Sequence, residues 1–283
     1  MTGSALPGPG APLAAGNTRV KDARRLSRRS VRTERRLFLA DGPQAVEGAL
    51  GVPGCAVEVF ATTAATARYA ALPPAAAAAG VPWTLVEDRA AAGLSDAVNP
   101  AGVVAVCRSV DRPLEHVVTR GHRLVALLAD VRDPGNAGTV VRTADAAGAD
   151  AVVLAGHAVD PHNPKTVRAS VGSLFHLPLA LAAEPAAAVA AAQAAGLQVL
   201  AADGAGEDDV DDLADAGVLA APTAWLLGNE AWGLPAELAA LADRRVRIPI
   251  HGRAESLNLA TAAALCLYAS ARAQRRGRAP GHR

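Results

Sequence analysis

The sequence predicts an α/β protein in which a mostly parallel sheet fills the C-terminal half and a smaller α/β unit precedes it. Short apolar runs at 124–129, 151–155, 177–181, 198–202, 224–227 and 246–250 are separated by helix-length segments, the pattern of parallel strands covered on both faces. A fainter alternation of the same kind runs through the first hundred or so positions. The chain of 283 residues also exceeds the ~100–150 of one typical domain, and a hydrophobic share of 51% against 19% charged supplies a core.

Taken in order, residues 1–17 are rich in Gly, Pro and Ala without periodicity and read as a disordered N-terminus. A basic helix follows from Val20 to about Arg32, then a strand at 37–40, a helix after Gly42 and Pro43, and a strand at 56–61. A helix near Ala75, a strand at 83–86, a helix near 88–94 and a strand at 103–107 complete a unit spanning 18–110. The charged, Pro113-containing stretch 109–122 reads as a connector, 120–275 as the second unit and 276–283 as a mobile tail.

No run approaches the ~20 apolar residues of a membrane span, and the N-terminus lacks the basic and apolar regions of a secretory signal, so a cytoplasmic protein is expected. Cys55, Cys107 and Cys266 stand far apart in apolar surroundings and read as buried thiols. His157, His162 and His176 have no ligand spacing, and no metal is expected. The net charge of +1 conceals an uneven distribution: Arg19, Lys21, Arg24, Arg25, Arg28, Arg29, Arg32, Arg35 and Arg36 crowd one segment, and Arg272, Arg275, Arg276, Arg278 and Arg283 crowd the tail. Clustered guanidinium groups suit a phosphate backbone, and they equally suit a solvated helix face.

Ligands of parallel sheets bind beyond the carboxyl ends of strands, which singles out three loops. The first, 130–139, leads into a helix beginning at Asn136 or Gly138, whose free N–H groups suit an anion; Arg142 lies on that helix, within reach of an ion pair with Asp145. In the second, 226–235, Gly228 and Gly233 bracket a turn carrying Asn229 and Glu230. The third, 248–259, runs into an apolar helix that Ser256 is placed to cap, with Asn258 in its first turn.

In order, spacing and context, these loops resemble motifs 1, 2 and 3 of the SpoU/TrmH class of RNA 2′-O-ribose methyltransferases, within the SPOUT superfamily. The likeness covers about 124–271, and the segment 165–178 also looks like part of that family. Residues 38–48 and 102–106 resemble, more weakly, the small RNA-binding domain that often precedes the catalytic unit, itself similar to kink-turn-binding ribosomal proteins.

The resemblance implies a deep trefoil knot, S-adenosyl-L-methionine held among the knotted loops, and a homodimer through the C-terminal domain. It implies catalytic roles for Asn136, Arg142, Glu230, Ser256 and Asn258, with Glu230 orienting Asn136 or nearby backbone. It places the cofactor on Leu227, Gly228, Asn229, Gly233, Ile248 and Leu257. Arg168, with Ser170 and Ser173, matches a position that holds RNA, although a helix-surface arginine reads the same way; Arg24, Arg25 and Arg28 would add contacts from the basic segment. The expected reaction is methylation of a ribose 2′-hydroxyl in structured RNA, ribosomal favoured over transfer RNA. The alternatives are a non-catalytic RNA-binding or assembly factor on the same fold, and an ordinary nucleotide-binding oxidoreductase. Against the last, the chain has no strand–GxGxxG–helix signature, and Gly204 and Gly206 sit beside acids at 207–212.

Overall fold

A computed structural model describes residues 11–276, which form two compact units: 11–109 together with His162–Arg168, and Val110–Pro161 together with 169–276. The segment 162–168 therefore packs with the first unit although sequence order puts it inside the second. Of the expected disordered N-terminus, residues 1–10 lie outside the description, but Leu13 is paired. It bridges to Val86, donates its N–H to the Leu85 carbonyl (2.8 Å) and accepts from Glu87 N–H (3.0 Å). The tail 277–283 lies outside the described residues, and Arg276 ends the last helix.

The first unit is built on a mixed sheet of order β1-β4-β2-β3, with β1 Leu37–Asp41, β2 Ala56–Ala61, β3 Trp83–Leu85 and β4 Val103–Arg108. Its central strand β4 is antiparallel to both neighbours, and buried Val, Leu, Phe and Ala side chains from helices and sheet make the core. The expected single basic helix is broken. Helices Thr18–Arg24 and Arg29–Arg35 flank a 3₁₀ turn at Arg25–Ser27, with Arg28 extended between them. The buried Arg32 guanidinium explains the break, because it donates to the Leu26 and Ser27 carbonyls (3.0 and 2.8 Å) that the interrupted helix leaves unpaired.

The second unit holds a sheet whose pairings are all parallel, in the order β10-β12-β9-β11-β6-β7-β8-β5. The strands are β5 Asp111–Arg112, β6 Leu124–Ala129, β7 Ala151–Ala155, β8 Leu179–Ala182, β9 Gln198–Ala202, β10 Asp208–Asp209, β11 Thr223–Leu227 and β12 Arg244–Arg247. β6, β7 and β11 are buried along their whole length, as parallel strands covered on both faces must be. The expected strand at 246–250 is displaced to Arg244–Arg247, and the connector 109–122 contributes β5 and a helical turn, Leu114–Val117. Register then decides where the chemistry sits. Leu227 pairs with Leu128 on one side and Ala202 on the other, and Ala202 pairs with Val246, so four adjacent strands end level and release their loops at one edge. No helix among the described residues is long and apolar enough to cross a membrane.

Candidate active site

The first loop turns sharply at Asp130, whose φ of 53° is a left-handed conformation that Asp tolerates better than most residues. Asp130 Oδ1 accepts the His157 N–H (2.7 Å), and its carbonyl accepts Asn229 Nδ2 (2.6 Å), fixing the loop from both sides. The helix that follows is Pro134–Ala147, two residues earlier than the nearer expected start, because Asp133 caps it by accepting from Asn136 N–H (2.7 Å) and Pro134 suits the first helical position.

In the second loop, Asn229 and Gly233 exchange backbone N–H···O bonds of 2.9 Å, closing a hairpin around residues 230, 231 and 232. Gly228 is dictated by this closure: a Cβ there would stand 2.4 Å from the Gly233 carbonyl carbon. Gly233 supplies the φ of 70° that turns the chain back.

Glu230 projects from this hairpin onto the first loop and accepts three donors: Arg132 N–H (3.3 Å), Asp133 N–H (3.1 Å) and Asn136 Nδ2 (3.2 Å). The third loop joins through Asn258 Nδ2, which donates to Asn136 Oδ1 (3.1 Å). The order of donors and acceptors along this chain is forced. Asn258 Oδ1 is committed to the N–H groups of Ala260 (2.9 Å) and Thr261 (3.4 Å), so its amide nitrogen must face Asn136, whose own nitrogen must then face the carboxylate. Asn258 is thus the cap of the final helix, Leu259–Arg276, and the expected capping by Ser256 is corrected; Ser256 stays in the loop, free to face the opening.

The second and third loops line a cavity of about 460 Å³, while the first loop, Asn136 included, stands outside the lining and reaches it only through its bonds to Glu230, Asn229 and Asn258. Leu227, Gly228, Asn229, Gly233, Ile248 and Leu257 all line it, as do Glu230, Ser256 and Asn258. Its remaining wall comes from residues the sequence reading passed over, chiefly Ala202, Asp203 and Gly204 at the end of β9, Val246 on β12, and Glu255. Their position at a strand end was the available signal; the acidic surroundings turned attention away.

Arg142 is exposed and forms no ion pair among the described residues, while Asp145 bonds His176 Nδ1 instead (2.8 Å). Arg142 also stands outside the cavity lining. Of the residues expected to hold RNA, Ser170 and Ser173 are buried, and Arg168 is engaged by Asp41 (3.3 Å) and by Asp96. In the basic segment Arg24 Nε donates to the Gly93 carbonyl (3.1 Å), Arg25 faces Asp22 (3.7 Å) and Arg28 is exposed without an ion pair among the described residues. Cys55, Cys107 and Cys266 are buried, and burial raises the Cys266 thiol to about 12.

Residues 123–268 match the SpoU rRNA Methylase family, and residues 17–105 match the MRM3-like substrate binding domain. The chain belongs to the SpoU rRNA Methylase family. It is 34% identical to the 23S rRNA (guanosine(2553)-2'-O)-methyltransferase RlmP of Bacillus subtilis, covering 90% of this chain and 96% of that one. Two solved structures are similar to it. The AdoMet-bound rRNA methyltransferase of Sinorhizobium meliloti superposes with a TM-score of 0.77 at 35% identity, covering 90% of this chain and 95% of that one. AviRb of Streptomyces viridochromogenes, in complex with AdoMet, gives 0.79 at 30%, covering 92% and 100%. Two of the three loops that resemble SpoU motifs in the sequence, the second and the third, line the cavity, and the first is hydrogen-bonded to both.

Proposed function

We propose that this SpoU-family chain transfers a methyl group from S-adenosyl-L-methionine to a ribose 2′-hydroxyl of ribosomal RNA. The observation that carries the reading is the Glu230–Asn136–Asn258 network, which ties the first loop to two loops whose Glu230 and Asn258 line the cavity. The cavity suits the cofactor. Its volume is that of a small-molecule site, Gly228 leaves backbone bare where a side chain would intrude, Leu227, Val246, Ile248 and Leu257 offer apolar contact, and the carboxylates of Asp203, Glu230 and Glu255 favour a cationic occupant.

Bound there, S-adenosyl-L-methionine supplies a methyl group on a sulfonium, whose departure is already favourable. The chain's task is to present the sugar hydroxyl in line with that methyl group and to favour loss of its proton. Asn136 and Ser256 contact the nucleoside, Asn136 being held rigid by Glu230 and Asn258. The Arg142 guanidinium stabilises developing negative charge or the adjoining phosphate rather than removing the proton itself.

Arg142 stands apart from the cavity of its own chain, and a second copy brings the pieces together; a homodimer through the C-terminal unit is the assembly we infer. The exposed Leu265 and Tyr268 on the final helix, with Ile250 and Leu257 on the third loop, are the apolar surface such a contact would cover. We further read the second and third loops as the segments of a deep trefoil knot, and the first unit, with Arg28 exposed, as the part that captures RNA in the cytoplasm. The test is transfer of labelled methyl from S-adenosyl-L-methionine to in-vitro-transcribed 23S rRNA, with the product mapped as a ribose methylation. RNA binding without transfer, at saturating donor, would instead establish an assembly factor on the same fold.

A further inference from the structure

Trp232 is the most exposed aromatic side chain among the large apolar residues at the surface, at 54%. Nothing in the methyl-transfer machinery above uses it. It occupies the last of the three positions in the hairpin closed by Asn229 and Gly233, and Glu230 occupies the first. Both reach the same residue on the first loop: Glu230 takes the backbone N–H of Arg132 (3.3 Å), and the Arg132 guanidinium lies over the Trp232 ring, 5.0 Å from its centroid. The indole and the Asn136 amide are therefore carried by one hydrogen-bonded unit, with the cavity-lining Ala231 between the two side chains of the hairpin.

Leaving an indole in water is unfavourable unless something covers it, and a surface cation–π pair returns only ~0.5–1 kcal/mol. Arg132 is itself exposed, so the pair presents an aromatic plane and a positive charge together at the edge of the opening. A nucleotide meets both, its base offering a flat π face and its phosphate a negative charge. Resting on the methyltransferase reading, we propose that Trp232 and Arg132 form a stacking platform for an unpaired base of the RNA substrate next to the ribose that receives the methyl group. Arg132 steadies the ring from one side and draws in the adjoining phosphate. Such a platform accepts any base, and so sets how the strand is held rather than which base is chosen.

The test compares Trp232→Ala, Trp232→Phe and Trp232→Leu in steady-state assays with saturating methyl donor and in-vitro-transcribed 23S rRNA. A stacked base is worth ~1–3 kcal/mol at ~1.4 kcal/mol per decade, so Trp232→Ala should raise KM for RNA roughly 5- to 100-fold. The Kd for S-adenosylhomocysteine, measured by calorimetry, should stay within about twofold of wild type on the same convention that a decade is ~1.4 kcal/mol. Phe should recover most of the loss, and Leu, apolar but unable to stack, should not. A Leu variant as good as Phe overturns the platform, as does an Ala variant whose S-adenosylhomocysteine affinity falls in step with its RNA affinity, which would make the ring a staple between loops. An Ala variant that sediments as a smaller assembly than wild type also overturns it, assigning the ring to a contact between copies. Should wild type methylate no RNA, the functional reading fails separately, and filter retention of the RNA by the same variants still decides the platform.

Discussion

Each unit has a carboxylate at its hub, and the two hubs differ in one respect that separates their tasks. Asp41 ends β1 in the first unit, is only 4% exposed, accepts from the Ser95 hydroxyl and is paired with Arg168. Glu230 follows β11 in the second unit, is exposed, and gathers two backbone N–H groups and an amide from a loop nearly a hundred positions away. Burial makes Asp41 costly to leave without partners, so its contacts hold structure together. Solvent makes the three bonds of Glu230 worth little in stability, so what they achieve is orientation. The arginines divide in the same way: Arg168 is spent on two acids, and Arg142 forms no ion pair among the described residues.

The comparison breaks first at Arg142. Arg142→Ala should abolish methyl transfer while the melting temperature and S-adenosylhomocysteine affinity hold steady, since the exposed side chain has no ion pair to lose among the described residues. Normal turnover in that variant would remove it from the site. Next comes Glu230→Gln, which keeps one acceptor oxygen for the three donors and turns an NH₂ onto the rest, loosening the hold on Asn136. A displacement of about 1 Å at a reacting geometry costs on the order of 100-fold, so kcat should fall about that far with little change in melting temperature. A matching loss of stability would show that Glu230 and Asp41 are not different in kind. Arg168→Ala should do the reverse, leaving buried Asp41 with Ser95 and lowering stability by roughly 1–3 kcal/mol in denaturant titration, with S-adenosylhomocysteine affinity intact.

Much of this contrast was legible in the sequence. Apolar runs in the second unit give β6, β7, β9 and β11, because strands buried on both faces carry their signal in every residue. The same logic hides β12. Its Arg244, Arg245 and Arg247 pair with Asp208, Asp203, Glu207 and Asp209 around β10, so a strand beside an acidic edge reads as polar and the expectation slid to the apolar 246–250. Cap chemistry misled in a similar way at the third loop: Ser256 and Asn258 are both good caps, and only the position of Asn136 across the opening decides for Asn258. Ser170, Ser173 and Arg168 fit an RNA-binding motif by residue type; the burial of the two serines and the two acids that engage the half-buried Arg168 are not visible without the fold.

The smallest effect tests the Asp41 hub by pH. Burial, the largest influence on it, raises the Asp41 carboxyl above its ordinary 3.8, outweighing the lowering by the Ser95 hydrogen bond and the Arg168 charge. A carboxyl raised in the folded state binds its proton more readily there than in the unfolded chain, so its favourable contribution is complete below 3.8 and fades as pH climbs through the raised folded value. Asn at position 41 does not titrate. The stability of wild type relative to Asp41→Asn should therefore improve as pH is lowered from neutral toward the carboxylate range, seen as converging or crossing melting temperatures. A gap that widens in wild type's favour as pH rises would mean that Arg168 and Ser95 together overcome burial, and that Asp41, like Glu230, is held chiefly by its donors.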